Sequence, residues 1–155
     1  MNREQLFLKA LRKEEVFMVN NDVILNKIAT IERCIERINE VYANNPINLQ
    51  NFTKQDSIIL NIQRACEASI DIAMHIISEK KLGLPKTSRE AFKMLNEEGI
   101  IDQNLTTSLM NMVGFRNIAV HDYQSINLNI LQAIIEKHLV DFTNYTKYVI
   151  EWGNS

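Results

Sequence analysis

Apolar residues recur every three or four positions along most of the chain, which is the spacing of one face of an α-helix. The clearest stripe has the spacing 4-3-4-3-4 and consists of Ile24, Ile28, Ile31, Ile35, Ile38 and Tyr42. We expect Asn20 or Asn21 to cap the helix that carries it. The strict alternation that a half-buried strand needs is sustained nowhere, so the pattern predicts an all-α protein.

Capping residues and further apolar stripes predict four more helices. We expect a second long helix from a cap at Thr53–Asp56 to about Lys81 ended by Gly83 and Pro85, a short helix from the capping box Thr87–Glu90 to Gly99, a fourth helix capped by Asp102, and a last helix from about Asn127 to Val149. The prediction is a bundle of four main antiparallel helices plus one short helix.

Composition supports this class and narrows the function. Four glycines and two prolines in 155 residues are few, since the usual share of the two residues is about 12%. Barrels and sandwiches, which turn often, are thereby excluded, and the isolated glycines form no phosphate-cradling loop. The net charge of −2 leaves no long basic field, so contact with nucleic acid must be local or assembled from several copies.

The chain is predicted to be a single cytoplasmic domain. Residues 1–17 are weakly helical and precede the first clean stripe, so we interpret them as an N-terminal extension to a helical domain of residues 18–155. No apolar run reaches the about 18 residues of a membrane span, and no signal peptide is recognisable. Cys34 and Cys66 are predicted to be buried thiols rather than a disulfide.

One stretch near the end of the fourth helix concentrates reactive side chains. It brings together a cation, an amide, an imidazole, a carboxylate and a phenol, from Arg116, Asn117, His121, Asp122 and Tyr123. On a straight helix Arg116 and Tyr123 would lie about 20° apart, whereas His121 would lie about 140° from Arg116. Arg116 and His121 can therefore act on one substrate only if the helix end unwinds or a second subunit supplies one of them.

The other histidines are weaker candidates. His75 follows Asp71 by four residues, so the two side chains share a helix face, and they are either an ion pair or the border of a cleft. His138 is expected to face the core as a structural histidine. The sequence has no metal-binding spacing of histidines or cysteines, and we expect neither a metal nor a cofactor.

Histidine and arginine together are sufficient for RNA cleavage without a metal. The ribose 2′-OH is the nucleophile, imidazole transfers protons near neutral pH, and guanidinium stabilises the charge that develops on the phosphate. Such a site releases a 2′,3′-cyclic phosphate and a 5′-hydroxyl, and it leaves DNA uncut.

The stretch RNIAVHDY resembles the R-x4-H-x-Y signature of HepT-type toxins in the HEPN superfamily. Three flanking segments resemble the same family in the same order, and they are 33–36, 70–76 and 98–101. The resemblance extends from about Met18 to the end of the chain.

This resemblance implies a HEPN-type helical bundle that dimerises, with Arg116 and His121 catalytic in a metal-independent ribonuclease acting on tRNA or mRNA. It also implies a partner, an MntA-like nucleotidyltransferase, that neutralises the toxin by adding AMP to Tyr123. Asn117, Asp122, Asp71 and His75 would support the site or contact RNA.

Two alternatives stay open at this point. The chain could be a non-catalytic HEPN module that binds nucleotide and accompanies a nucleotidyltransferase, or a purely structural bundle whose polar residues only end a helix.

Overall fold

The computed structural model describes residues 2–5 and 15–154, and most of these residues lie in helices. The helices are α1 (Glu15–Tyr42), α2 (Phe52–Lys80), α3 (Ser88–Glu97), α4 (Gln103–His121), α5 (Leu128–Ala133) and α6 (Leu139–Gly153). Short 3-10 helices span Pro46–Gln50 and Tyr123–Ser125, and a π-helical turn spans Ile134–His138. These ranges contain no strand, which confirms the all-α class predicted from the sequence.

The first helix begins earlier than the predicted cap. Glu15 is its first residue, so Asn20 and Asn21 lie inside the helix and do not cap it. Neither glycine nor proline occurs between Glu15 and Tyr42, and asparagine inside a helix costs only about 0.7 kcal/mol relative to alanine. Most of the predicted extension, residues 6–14, lies outside the described residues.

The core lies mainly between α1, α2 and the last helix. Twelve residues of α2 are buried, and the apolar stripe of α1 faces them. Phe92 and Tyr145 meet edge to face with ring centroids 5.7 Å apart. The buried hydroxyl of Tyr145 donates to the carbonyl of Ser69 at 2.9 Å, so this polar atom is satisfied.

Of the five predicted helix starts, three are confirmed, namely the caps Thr87, Asp102 and Asn127. The starts predicted at Asn20 or Asn21 and at Thr53–Asp56 are wrong. Thr87 accepts a hydrogen bond from the backbone N–H of Glu90 at 3.1 Å, and Asp102 accepts one from Leu105 at 2.8 Å. α2 is capped by Asn51 rather than within the predicted Thr53–Asp56 box. Asparagine outranks threonine as an N-cap, which accounts for the shift.

The end of α2 is a Schellman motif that uses lysine where glycine is usual. Lys81 has a φ of 53°, and the N–H of Leu82 donates to the carbonyl of Ile77 at 3.1 Å. The helix therefore ends at Lys80, before Gly83 and Pro85.

A π-helical turn separates α5 from α6 and changes which residues face inward. Its wider turn shifts the register of the side chains, so Leu139 is buried while His138 is exposed. The prediction that His138 faces the core is therefore wrong. Its ring instead contacts the carboxylate of Asp141 at 2.9 Å. No helix in the described ranges is long and apolar enough to cross a membrane.

Candidate active site

The helix that carries the reactive stretch, α4, is regular until its last residue. The N–H of Asp122 still donates to the carbonyl of Ile118 at 2.8 Å, as the helical pattern requires. At Asp122 the backbone leaves the helix, with φ −149° and ψ 56°. Asp122 then accepts a hydrogen bond from the Ser125 hydroxyl at 2.5 Å, which stabilises the 3-10 turn that follows. Any unwinding thus begins after His121 and does not move it toward Arg116.

Arg116 is half-buried between α4 and the start of α3. Its Nη2 donates to the Ser88 hydroxyl at 3.4 Å, while its buried Nε has no hydrogen-bond partner among the described residues. Burial raises the pKa of the neighbouring Cys66 thiol to about 12, against the attraction of the Arg116 charge. A half-buried guanidinium that uses only one of its donors keeps hydrogen-bonding capacity for an anion.

His121 is exposed, and it lies about 140° around α4 from Arg116 on the ideal helical geometry that this segment keeps. Because the helix is intact between them, the two side chains leave different faces. One chain therefore presents a protected guanidinium and an open imidazole, but it does not direct both toward one point.

Tyr123 lies beyond the end of α4, so its direction is set by the 3-10 turn rather than by the seven-residue spacing from Arg116. Its hydroxyl donates to the Asp56 carboxylate near the start of α2. The phenol is 40% exposed. Partial burial, followed by the hydrogen bond to Asp56, raises the pKa of Tyr123 to about 12. The phenol is consequently protonated at neutral pH.

The remaining predicted site residues, Asp71, His75 and Asn117, differ in their contacts and burial. Asp71 pairs with Lys27 of α1 at 2.9 Å, so the predicted Asp71–His75 ion pair is wrong. α1 packs against this face of α2 and supplies a stronger cation than imidazole. His75 Nε2 is buried without a hydrogen-bond partner in the described ranges. Asn117 is half-buried on α4.

Sequence reasoning missed Arg89, which lies against the same helix. Its Nε donates to the carbonyl of Met110 at 3.2 Å. Gly114 makes this approach possible, because a Cβ there would lie 2.7 Å from Arg89 Nη2. Arg89 is distant in sequence from the motif, and only the packing of α3 on α4 brings it near.

An apolar groove of about 470 Å³ lies between α4 and α5. Ile118, Ile126 and Ile130 line it, and Ile118 and Ile130 are 42% and 54% exposed. Val120, also on α4, is 45% exposed. Large apolar side chains are thus exposed beside the two candidate catalytic residues. In the part of the chain that the structure describes, no three His, Cys, Asp or Glu side chains are placed to hold a metal ion.

The helical bundle and its arginine–histidine helix agree with a known family of ribonucleases. The model of the family described as Ribonuclease HepT-like matches residues 31–149, which is most of the chain and includes the whole candidate site. The chain therefore belongs to the Ribonuclease HepT-like family, and the resemblance found in the sequence is confirmed.

Individual relatives agree with this assignment. The mRNA nuclease HepT of Shewanella oneidensis is 53% identical over 125 residues, which are 81% of this chain and 94% of that protein. The tRNA nuclease HepT of Aphanizomenon flos-aquae is 31% identical over 101 residues, which are 65% of this chain and 69% of that protein.

Solved structures support the same family assignment. One is the tri-AMPylated Shewanella oneidensis HEPN toxin in complex with MNT antitoxin, with a TM-score of 0.80 and 51% identity, covering 84% of this chain and 98% of that one. Another is a toxin–antitoxin with AMP-PNP, with a TM-score of 0.81, 50% identity and the same two coverages. The predicted class, a ribonuclease with relatives in AMPylated toxin–antitoxin complexes, is confirmed.

Proposed function

We propose that this chain is the ribonuclease toxin of a toxin–antitoxin pair, that its active site is shared by two copies of the chain, and that AMPylation of Tyr123 inactivates it. The observation that carries the shared site is the regular helix between Arg116 and His121. Because the two side chains leave α4 on different faces, Arg116 of one copy and His121 of the other form each site. RNA as the substrate implies that the protein acts in the cytoplasm.

The apolar groove between α4 and α5 supports a second copy as the occupant of that face. Ile118 and Val120 closely precede His121 in sequence and are more than 40% exposed. Association that covers them removes apolar surface from water, which is favourable by about 25 cal/mol per Å². The same association brings the two motif helices together, so burying the apolar face and completing the site are one event.

The chemistry of the proposed site requires only these two residues and the RNA. His121 accepts the proton of the ribose 2′-OH as its oxygen attacks the adjacent phosphorus. Arg116 stabilises the negative charge on the phosphoryl oxygens. The bond from phosphorus to the 5′ oxygen breaks, and that oxygen takes a proton from solvent. The products are a 2′,3′-cyclic phosphate and a 5′-hydroxyl.

AMPylation is proposed to occur at the Tyr123 hydroxyl. The phenol oxygen attacks the α-phosphorus of ATP, pyrophosphate leaves, and the phenol proton is lost. Asp56 already accepts the hydrogen of this hydroxyl and is placed to take the proton. Further AMP units join through a ribose hydroxyl of the previous unit in the same way. The nucleotidyltransferase partner supplies the ATP site, and the AMP units add negative charge near the active site, which repels the RNA backbone.

The activity is tested by RNA cleavage in EDTA with the wild-type protein and the variants Arg116→Ala and His121→Ala. Lys147→Ala, which removes an exposed cation from α6, is the matched control. We expect the wild type and the control to cleave RNA, to leave DNA intact and to produce cyclic phosphate ends. A wild type that cuts nothing but copurifies with a nucleotidyltransferase would favour the non-catalytic module instead.

Complementation tests whether two copies share the site. Arg116→Ala and His121→Ala proteins are mixed, dissociated in denaturant and refolded together. Half of the dimers are then mixed, and one of the two sites in each mixed dimer is intact, so about a quarter of the wild-type activity should return. Each variant refolded alone is the control. A mixture as inactive as its components would mean that each chain uses its own Arg116 and His121.

The acceptor is tested by intact mass after incubation with ATP, Mg²⁺ and the partner nucleotidyltransferase. Tyr148→Phe is the matched control for Tyr123→Phe, because the Tyr148 hydroxyl also donates to a carboxylate, that of Asp102, at 2.8 Å. We expect AMP increments on the wild type and on Tyr148→Phe, and none on Tyr123→Phe. Equal modification of Tyr123→Phe would exclude Tyr123 as the acceptor.

A further inference from the structure

A second groove, which Asp56 lines, is rich in arginine. It encloses about 520 Å³ between α1 and α2. Arg33 and Arg37 of α1 and Arg64 of α2 line it, together with one carboxylate, that of Asp56. We call these three arginines and the space between them the arginine groove. Its lining carries a net positive charge in a chain whose own charge is −2.

Two helices contribute the arginines of the arginine groove. Arg33 and Arg37 are four residues apart, so they project from the same face of α1. Arg33 and Arg64 both act electrostatically on the buried thiol of Cys34, which lies in the wall of the groove. The packing of α1 on α2 therefore places all three arginines around one groove.

The hydrogen-bond partners of Arg33 and Arg37 are weak. Arg33 donates to the neutral hydroxyl of Thr30 at 3.3 Å. Arg37 lies 3.4 Å from Glu40, and both of these side chains are more than half exposed, so water screens the pair. Guanidinium groups in this state keep donors for a ligand, and the anions that they bind best are phosphates and carboxylates.

Asp56 connects the arginine groove to Tyr123. Its carboxylate lines the groove and also accepts the hydrogen bond of the Tyr123 hydroxyl. The phenol oxygen is therefore at the edge of the groove. Any group attached to that oxygen starts there. Attachment also removes the hydroxyl hydrogen, so the bond to Asp56 is lost and a phosphodiester charge stands beside the carboxylate.

We infer that the arginine groove binds the phosphodiester groups of the AMP chain attached to Tyr123. This inference rests on the proposed modification of Tyr123. The three positive charges of Arg33, Arg37 and Arg64 outweigh the single negative charge of Asp56 in the lining, so the net attraction draws the chain into the groove. The chain is then held against the protein rather than extended into solvent, and the modified state is harder to reverse.

The test measures how fast a phosphodiesterase removes AMP units from the modified protein, followed by intact mass. The variant is Arg33→Gln/Arg37→Gln/Arg64→Gln. The control, Lys93→Gln/Lys137→Gln/Lys147→Gln, loses the same charge at exposed positions elsewhere. Proteins with equal numbers of AMP units are separated by anion exchange before the comparison. If the triple variant accepts no AMP, the single variants Arg33→Gln and Arg64→Gln take its place.

We expect removal from the arginine variant to be about tenfold faster than from the wild type and from the lysine control, and high salt to reduce the difference. Equal rates in all three proteins would overturn the inference while leaving Tyr123 as the acceptor. A wild type that gains no AMP on Tyr123 would overturn both.

RNA also contains phosphodiester groups, so it is the other ligand that the arginine groove fits. Kinetic measurements on the unmodified proteins distinguish RNA from the AMP chain as its ligand. With wild type and the two triple variants we measure KM and kcat for RNA. Our inference predicts KM values for the arginine variant within about twofold of the lysine control. If the arginine variant instead raised KM about tenfold without changing phosphodiesterase protection, the groove would belong to the RNA substrate and the inference would be wrong.

Discussion

α2 and α4, the two helices that carry most of the candidate site residues, bury their apolar residues differently. α2 has 29 residues, and its twelve buried residues all pack within the chain. α4 has 19 residues, of which seven are buried, and its last turns also expose Ile118 and Val120. α2 exposes large apolar side chains only in its first nine residues, at Phe52 and Leu60, whereas the exposed apolar residues of α4 lie next to His121. The difference indicates that α2 stabilises the monomer, and that α4 also contacts something outside it.

The largest effect that separates the two helices is catalytic. We expect His121→Ala to lower kcat/KM for RNA by about 10²- to 10⁴-fold, because it removes the proton acceptor. The free energy of unfolding should change by no more than about 0.5 kcal/mol, since the side chain is exposed. Steady-state cleavage and urea denaturation measure the two quantities. A large loss of stability in this variant would assign His121 a structural role.

The converse effect is expected in α2. Ile62 is fully buried, so Ile62→Ala should lower the free energy of unfolding by about 2–5 kcal/mol. Cleavage per folded molecule should stay near the wild-type value at a temperature where the variant is folded. Thermal denaturation and active-site titration check this. A loss of cleavage in fully folded Ile62→Ala protein would break the division between the two helices.

The exposed apolar residues of the two helices give a matched pair. Ile118 of α4 and Leu60 of α2 are 42% and 40% exposed. We expect Ile118→Asp to raise the dimer dissociation constant by at least about tenfold, because a carboxylate in an apolar interface must be desolvated. Leu60→Asp should leave the dissociation constant unchanged. Analytical ultracentrifugation over a concentration series measures both, and equal effects would move the interface away from α4.

A contact between the two regions, Tyr123 with Asp56, makes stability depend on pH. The pKa of Tyr123 is about 12 in the folded protein and about 10 in an unfolded chain. The raised pKa contributes stability that is present below pH 10 and is lost as the pH rises from 10 to 12. We expect Asp56→Asn to lower the tyrosine midpoint toward 10.

Absorbance of ionised tyrosine immediately after a pH jump measures this midpoint, with Tyr123→Phe subtracted to isolate the residue. An unchanged midpoint in Asp56→Asn protein would mean that burial alone raises the pKa.

The smallest predicted effect compares the two helix ends. Lys81, after α2, has a φ of 53°, which strains a residue with a Cβ. Lys81→Gly should therefore stabilise the protein by about 1 kcal/mol. Asp122, after α4, has a φ of −149° and accepts a hydrogen bond from Ser125. Asp122→Gly should destabilise by a similar amount. Chemical denaturation measures both, and effects of the same sign would contradict the assignment of the strain to Lys81.

The parts of the fold that follow from local rules were predictable from the sequence. The 4-3 stripe of α1 and the caps Thr87 and Asp102 depend on residues within one or two turns, and the structure confirms them. The exposed position of His138 was not predictable, because a π turn obeys no simple residue preference and shifts the register behind it.

The candidate site also has a part that was predictable from the sequence and a part that was not. Arg116, His121 and Tyr123 were found because they lie within eight residues and match a family signature. Their surroundings depend on packing between helices that are distant in sequence. Tyr123 contacts Asp56, 67 residues earlier, and Asp71 pairs with Lys27 of α1 rather than with His75. No local pattern encodes either choice of partner.

The 3-10 turn of residues Tyr123–Ser125 carries the proposed modification site in a segment that adds no residue to the core. It buries no residue, and the two backbone hydrogen bonds that close it, Ser125 to Asp122 and Ile126 to Tyr123, lie at the surface. Such a segment opens at a small fraction of the free energy needed to unfold the whole domain. A modifying enzyme can therefore displace this turn and reach the phenol beside Asp56 while the core stays intact. The proposed modification of Tyr123 therefore acts on the folded chain, so it would adjust the activity throughout the lifetime of the protein rather than only at synthesis.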